Sequence, residues 1–278
     1  MKLYKLGGVL LLSLILVGCG NGNSNKQSSN NESKTDMQNS SSSSNSSSSS
    51  TEQSSASQQS ATATSGANNS QADSQSYDFA SLTKDLSAKL ADTLLPQNSG
   101  LGETSQNVHI RYNGNSSNST VYYSTGSNPL ALNDASIKGE TPYAVLSKRT
   151  YSSASQAQGQ LDYTAASEVK GLPKVNLGHS IVGHTQSGAG QQYITWNEGN
   201  WSISVHGSPV NNTTPKKLAV SSVTMFNSYS LPAPNTQGVV KFNVGSSSQV
   251  ITWQDGSVVY RLKANDPAVA IRMAASMK

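Results

Sequence analysis

Side chains capable of metal or acid–base chemistry are few in this sequence and lie far apart along it. The four histidines are His109, His179, His184 and His206. His179 and His184 are close together in a segment with the pattern of strand or loop, and their spacing places them on opposite faces of a strand. A zinc site needs three or four converging ligands, and no Asp, Glu or Cys accompanies this pair. The pattern therefore predicts no metal site.

Nucleophile and phosphate-binding motifs are incomplete. The Gly-His-Ser-Ile-Val run at residues 178–182 resembles the start of a nucleophile elbow, but it lacks the final glycine and precedes a strand instead of a helix. Gly188-Ala189-Gly190 is typical of a turn, because no helix start with Lys and Ser or Thr follows. Glu198 and Asp255 fall in equivalent predicted turns, where turn propensity accounts for both acids without a catalytic pair. We therefore predict no catalytic residue and no cofactor site.

The three tryptophans leave two interpretations open. Trp196, Trp201 and Trp253 alternate with Ile and Val, which favours packing in a core. An exposed tryptophan beside Tyr or Asn could instead stack on a sugar ring. These three residues are therefore the candidate ligand-contact aromatics.

Cys19 is the only cysteine, and it follows a segment with the features of an export signal. Two lysines lie among the first five residues, and residues 6–17 form an apolar run of about 12, which suits a signal and is too short to span a membrane. The run closes with Leu16-Val17-Gly18-Cys19, which resembles the lipobox of bacterial lipoprotein precursors. The resemblance implies removal of residues 1–18 and a diacylglyceryl group on Cys19, whose two acyl chains hold a protein firmly to a bilayer.

A long polar segment separates this cysteine from the rest of the chain. Residues 20–76 are dominated by Ser, Asn and Gln, and residues 40–50 are almost pure serine. Too little apolar surface is present to offset the entropy of ordering, so we predict that residues 19–76 are a lipidated cysteine and a disordered tether. A flexible coil of about 57 residues has ends roughly 40–45 Å apart on average. The composition also permits glycosylation of the serines.

The composition of the remaining part, residues 77–278, limits which partners it can bind and how it can be stabilised. The chain has a net charge of +4, and 15 of its 19 Lys and Arg and 11 of its 15 Asp and Glu lie from Tyr77 onward, scattered along the sequence. Such a balance does not indicate nucleic-acid binding and allows only a weak attraction to anionic wall polymers or lipid headgroups. No internal disulfide can form with a single cysteine, but about 200 residues are enough to bury a sizeable core.

The C-terminal half contains two similar segments. Leu-Pro at 172 recurs at 231, Ile-Thr-Trp at 194 recurs at 251, and Thr214-Pro215 recurs as Asp266-Pro267. Matched landmarks in the same order predict an internal duplication over residues 172–226 and 231–278. A looser third copy, without the tryptophan, could occupy residues 95–165.

Each copy is predicted to be a strand-strand-strand-helix unit. Alternating residues flank Glu198-Gly199 and Asp255-Gly256, which is a strong hairpin signal. A further strand precedes each hairpin, at 180–186 and 239–244. Helices follow at 216–226 and 268–277, with Thr214 and Asp266 as N-caps before a proline at the first helical position. An amphipathic stripe predicts one more helix, which Pro96 ends, through Phe79, Leu82, Leu86, Leu90 and Leu94.

These elements predict an α+β fold, an antiparallel sheet with helices on one face. The Ser/Asn-rich tether and the Leu-Pro and Ile-Thr-Trp landmarks make the chain resemble small lipoproteins of Gram-positive bacteria of the lactic-acid type. The resemblance implies a location: lipid-anchored at the outer face of the cytoplasmic membrane, with the domain extending into the cell wall or extracellular space.

We therefore expect a non-catalytic module that binds or supports the cell envelope. Its expected partners are the bilayer, through diacylglyceryl-Cys19, and a cell-wall polymer or a surface protein, and not nucleic acid. The alternative is an extracellular enzyme acting on cell-wall polymers or peptides, whose catalytic residues converge only in the fold.

The lipidation prediction has a direct test. Changing Cys19 to Ala removes the thiol that would carry the diacylglyceryl group, so the protein should leave the membrane fraction and lose fatty-acid labelling. Fractionation with metabolic labelling measures both. Labelling that persisted in the Cys19→Ala protein would contradict the prediction.

Overall fold

The computed structural model describes residues 76–278. The predicted signal segment, Cys19 and the predicted tether up to residue 75 lie outside the described residues. The strands are β1 (Asn107–Gly114), β2 (Asn118–Gly126), β3 (Ala144–Thr150), β4 (Lys174–Gly178), β5 (Ile181–Gly188), β6 (Gln191–Glu198), β7 (Trp201–Gly207), β8 (Gly238–Asn243), β9 (Gln249–Asp255) and β10 (Val258–Ala264). The α-helices are α1 (Phe79–Lys89), α2 (Ala154–Gln158), α3 (Lys216–Ser228) and α4 (Pro267–Ala275).

All ten strands belong to one open sheet. Their order is β1-β2-β3-β10-β9-β8-β7-β6-β5-β4, which leaves β1 and β4 at the two edges. The α+β prediction is confirmed. The expectation of an antiparallel sheet holds at every joint except β7–β8, where the strands are parallel. Parallel neighbours need a crossover connection, and α3 lies in the segment that makes it.

At the β7–β8 joint, the Trp201 ring packs against the backbone of Gly238. Gly238 opens β8 directly beside Trp201 of β7. A Cβ at position 238 would lie 2.4 Å from Cε3 of the Trp201 ring, far inside contact distance. Glycine is therefore required at this position for the indole to lie flat against the strand.

The sheet has one apolar side and one polar side. Alternate residues of β6 and β9, among them Ile194, Trp196, Ile251 and Trp253, are buried in a single core together with residues of α1, α3 and α4. The prediction that helices cover one face is correct for these three helices. It is wrong for α2, whose Ala154 carbonyl accepts a hydrogen bond from Gln254 on the opposite side of β9.

Both predicted hairpins are present, with two-residue loops. Glu198 pairs with Trp201 across Gly199-Asn200, and Asp255 pairs with Val258 across the second loop. Gly199 and Gly256 have φ values of 55° and 58°, a region that favours glycine. The alternating pattern therefore predicted both hairpins, but each turn lies one residue later than predicted, because Glu198 and Asp255 are the last residues of their strands.

Several predicted boundaries need correction. Asp266 caps α4 by accepting hydrogen bonds from the backbone of Ala268 and Val269, as predicted. Thr214 does not cap α3; the position belongs to Pro215, which has no side-chain acceptor. Helix α1 ends at Lys89 instead of continuing to Leu94.

Helix α1 ends where Leu90 leaves the helical conformation, with a φ of −120° and a ψ of 62°. Two residues later, Asp92 has a φ of 55°, which is also incompatible with a helix. Its carbonyl accepts a 2.5 Å hydrogen bond from the buried Lys148 Nζ of β3. The tertiary contact therefore overrides the apolar periodicity that predicted a longer helix.

The equivalent hairpins differ in how they satisfy their tryptophans. Trp196 Nε1 donates to Glu198 Oε1 at 2.6 Å. Trp253 stacks on Tyr260, with ring centroids 5.2 Å apart, but its buried Nε1 has no hydrogen-bond partner among the described residues. Asp255 is one methylene shorter than Glu198 and accepts from Asn235 instead. One methylene thus decides whether the indole nitrogen is satisfied.

This difference gives a reciprocal test. We expect Glu198→Asp to lower the free energy of unfolding by about 1–2 kcal/mol, because it orphans the buried Trp196 Nε1. The matched change Asp255→Glu should not destabilise to that extent, since Trp253 Nε1 has no bond to lose. Urea unfolding monitored by tryptophan fluorescence measures both. Equal losses in the two variants would contradict this account of the indole nitrogens.

Candidate ligand-binding face

The polar side of the sheet, opposite α1, α3 and α4, is called here the open face. Its residues form a cross-strand row, because each strand contributes the partner of its neighbour's residue. From β4 to β1 the row is Lys174, His184, Thr195, Ser204, Lys241, Val250, Lys263, Val145, Tyr122 and Arg111. Cations from segments that are far apart in the sequence therefore lie along one surface of the sheet.

The connection from β3 to β4, residues 152–171, runs across this face and is called here the crossing segment. Several hydrogen bonds attach it to open-face side chains, three of them through its backbone. Gln254 Nε2 donates to the Ala154 carbonyl at 2.7 Å, Asn197 Nδ2 donates to the Thr164 carbonyl at 3.0 Å, and the Thr164 backbone donates to Ser202 Oγ at 3.2 Å. The segment is a bridge that leaves part of the face uncovered on either side.

Two cavities flank the crossing segment. The first, of about 420 Å³, lies over β5, β6, β7 and β8 and is bounded by Thr164 and Val169 of the crossing segment. The second, of about 280 Å³, lies over β8, β9 and β10 and is bounded by Leu161 and Asp162. Lys241 and Asn243 of β8 border both. The cavities therefore meet at the parallel joint of the sheet.

Lys241 is held by one exposed ion pair. Its Nζ contacts the Asp162 carboxylate of the crossing segment, and the two side chains are 46% and 85% exposed. An exposed pair of this kind contributes little to stability, because water screens it and two mobile side chains must be ordered. Lys241 can therefore exchange Asp162 for another anion at small cost.

The strands of the described residues carry no Asp or Glu on the open face. Glu198 and Asp255, the two acids within strands, lie on the helix-covered side with Trp196 and Trp253. Five strand cations on the open face are exposed: Arg149, Lys174, Lys241, Arg261 and Lys263. The sheet thus places on one face cations that are scattered along the sequence.

Arg111 is a sixth cation on this face, and unlike the other five it is stacked on an aromatic ring. Its guanidinium carbon lies 3.8 Å from the ring centroid of Tyr122, its cross-strand partner. Stacking on an aromatic face stabilises the cation and fixes its plane. Arg111 therefore presents a more rigid charge than the exposed lysines.

His206 borders the first cavity as a fixed ring. Its Nε2 lies 2.7 Å from Gln191 Oε1 and its Nδ1 lies 3.1 Å from Asn243 Oδ1. The ring also stacks on Tyr193, with centroids 4.6 Å apart. Tyr193 is 40% exposed, so one side of this aromatic pair faces the cavity mouth. The pair can offer a flat contact surface to a ligand ring.

His109 belongs to a separate, closed cluster. Its Nδ1 faces both oxygens of Glu140, at 2.9 and 3.0 Å, and its Nε2 faces the Asn128 carbonyl at 2.7 Å. Ser124 Oγ donates to Glu140 at 2.6 Å. The serine thus contacts the acid and not the imidazole, which differs from the order in which a catalytic triad activates a hydroxyl.

The charge of Glu140 is stabilised in this cluster. Burial acts to raise the pKa of Glu140, but hydrogen bonds from Ser124 and His109 outweigh it and hold the pKa below its usual value. Both ring nitrogens of His109 face oxygen atoms, the carboxylate of Glu140 and the Asn128 carbonyl. The cluster is a partly buried set of polar contacts that fastens the loop after β2 to the sheet.

The tryptophans proposed as ligand contacts lie on the helix-covered side. Trp196 and Trp253 are each 1% exposed, and Trp201 is 7% exposed. Trp201 borders a small cavity of about 120 Å³ with Phe226 and Tyr229 near the end of α3. The core packing interpretation describes these positions. Sequence reasoning missed Tyr193, an exposed aromatic residue beside the first cavity.

The remaining histidines do not converge. His179 lies in the tight β4–β5 turn with a φ of 49°, and His184 lies on the open face of β5. Within residues 76–278 no three His, Cys, Asp or Glu side chains are placed to hold a metal ion together. Over the same residues no helix has both the length and the apolar character needed to cross a membrane.

Comparison of the chain with protein-family models, with curated proteins and with solved structures found no match. The candidate site therefore rests on the geometry of the open face.

The His109 cluster predicts a pH-dependent stability. We expect Glu140→Gln to lower the free energy of unfolding at pH 7 by about 1–2 kcal/mol, because the carboxylate accepts charge-assisted hydrogen bonds. A carboxyl group with a lowered folded-state pKa contributes fully above its unfolded value of about 4.3, and the contribution disappears as the pH falls through the folded pKa. The gap between the two proteins should therefore shrink in acid.

Urea unfolding at several pH values from 7 to 3 measures this gap. Glu103→Gln, which makes the same charge change at an exposed position, is the control and should leave stability nearly unchanged. A gap of constant size across this pH range would show that the Glu140 carboxylate does not act through its charge.

Proposed function

We propose that this protein is a lipid-anchored surface lipoprotein whose folded part binds a component of the cell envelope without transforming it. The observation that carries the proposal is the pair of cavities on the open face, which meet at Lys241 beneath the crossing segment. Concave sites of a few hundred Å³ with a small number of placed polar groups are the usual form of ligand sites.

The histidine beside the first cavity is already engaged in hydrogen bonds, which supports binding over catalysis. A general base needs a lone pair within reach of the substrate. Both nitrogens of His206 are directed at amide oxygens, and its ring is stacked on Tyr193. Groups fixed in this way serve as contacts and as walls of the cavity.

We also infer that the sheet arose by internal duplication of residues 172–226 and 231–278. Two stretches in the same order, β5-β6-β7-α3 and β8-β9-β10-α4, support this. Trp196 and Trp253 each lie two residues before the end of the middle strand. The duplication would have widened the open face, since the two meanders stand side by side and each contributes one cavity.

The proposed anchor suits such a face. A diacylglyceryl group on Cys19 and a flexible tether over residues 20–76 would hold the module at the membrane while allowing it to reach tens of Å outward. The open face would then sample polymers and proteins between the membrane and the exterior.

The proposal predicts retention without turnover. The mature chain, residues 19–278 with Cys19→Ser so that no lipid is attached, is incubated with purified cell walls and with generic ester, glycan and peptide substrates. We expect the protein to sediment with wall material while no substrate is consumed. Turnover abolished by His206→Gln or Asp162→Asn would overturn the proposal in favour of an enzyme acting on wall polymers or peptides.

A further inference from the structure

We propose that the open face binds a linear anionic polymer bearing phosphodiester groups, and that Lys241, Arg261 and Lys263 are its phosphate-binding residues. This inference rests on the proposed envelope-binding function and names the ligand class. It follows from the placement of the cations, the shape of the second cavity and the ion pair that bridges its wall.

The three cations are spaced as neighbours on one surface. Lys241 and Lys263 lie in the same cross-strand row, separated by Val250 of β9. Neighbouring strands are about 4.8 Å apart, so these two backbones are about 10 Å apart. Arg261 lies two residues from Lys263 on the same side of β10, at about 7 Å. Cationic side chains that start from backbone positions about 7–10 Å apart can contact successive phosphates of one chain.

The second cavity has the shape of a groove for such a chain. Residues 160–162 of the crossing segment form one wall, and Val239 and Val250 form an apolar floor. Thr252 and Ser248 supply hydroxyl groups, and Lys241 and Arg261 supply charge. Alternating apolar and cationic surfaces suit a polymer in which short carbon units alternate with phosphates.

Asp162 occupies the position of a ligand anion. Its carboxylate contacts Lys241 from the crossing segment, and both groups are largely exposed. A phosphate carries its charge over two free oxygens and can replace the carboxylate at Lys241. Asp162 therefore competes with the ligand, and removing its charge should strengthen binding.

The crossing segment favours a chain over a lipid surface. Residues 160–162 line one side of the groove. Thr164, two residues further on, is fixed by hydrogen bonds to Asn197 of β6 and Ser202 of β7, so the crossing segment forms a ridge beside the groove. A flat bilayer that met this ridge would not reach Val239 or Val250, whereas a single extended chain can lie beside it. The experiment therefore includes lipid vesicles, so that binding to lipid phosphates is distinguished from binding to a polymer.

The experiment uses the mature chain with Cys19→Ser and four probes: poly(glycerol phosphate), inorganic polyphosphate, neutral dextran, and vesicles containing acidic phospholipid. Affinity is measured by fluorescence anisotropy or co-sedimentation at 50 and 200 mM salt. If three cations each neutralise one phosphate of polyphosphate, affinity should fall by about 20- to 40-fold over this range. Poly(glycerol phosphate) should bind, and dextran should not.

Three variants define the site. The triple change Lys241→Gln, Arg261→Gln and Lys263→Gln should lower polymer affinity by about tenfold or more. Its matched control is Lys84→Gln, Lys89→Gln and Lys216→Gln, which removes three exposed cations from α1 and α3 and should retain wild-type affinity apart from a small effect of net charge. Asp162→Asn should raise affinity. Circular dichroism and thermal unfolding establish that each variant is folded.

The outcomes separate this inference from the proposed function. If the wild-type protein did not bind cell walls at all, both the proposed function and this inference would be overturned. Wall binding that neither salt nor the open-face triple variant alters would overturn the anionic ligand and leave the binding module in place. Equal losses in the two triple variants would overturn the assigned site. Vesicle binding as tight as polymer binding, with the same response to the variants, would overturn the polymer in favour of lipid headgroups.

Discussion

The parallel pairing of β7 with β8 is the contact on which the architecture depends. It joins two antiparallel meanders that would otherwise each expose an unpaired edge. At this pairing the Trp201 indole packs on Gly238, where a Cβ would overlap the ring. Once joined, the meanders share one core under α3 and α4, and the two cavities of the open face meet above the same joint.

The two sides of the sheet differ in what they contribute. The helix-covered side holds the large buried side chains and the burial that stabilises the fold. On the open face, the strand cations have no strand carboxylate beside them. The carboxylates that approach this face come from connections: Asp162 contacts Lys241, and Glu140 interacts with the charge of Arg111. A fold that needed only stability would not concentrate like charges in this way. Such local conflicts are expected at functional sites.

Local sequence patterns predicted the elements better than their assembly. The hairpins at Gly199 and Gly256 and the cap at Asp266 follow from residues adjacent in sequence, and all three are present. The parallel joint and the position of α2 depend on contacts between distant segments, which periodicity does not encode. Strand β4 was missed because its five residues carry no long alternation. The side of the sheet on which Lys241 lies could have been predicted from the sequence, since Lys241 alternates with the buried residues Val240 and Phe242.

The cross-strand row has a geometric consequence for any ligand longer than a few units. Neighbouring strands usually twist by about 20–25°, so ten strands turn a sheet through about half a revolution from edge to edge. The row from Lys174 to Arg111 therefore follows a helical path around the sheet. A short fragment can touch only the cations near β8 and β10, whereas a long chain that follows the whole row must wind around the module. Chain length, as well as charge, would then set how strongly a polymer is held.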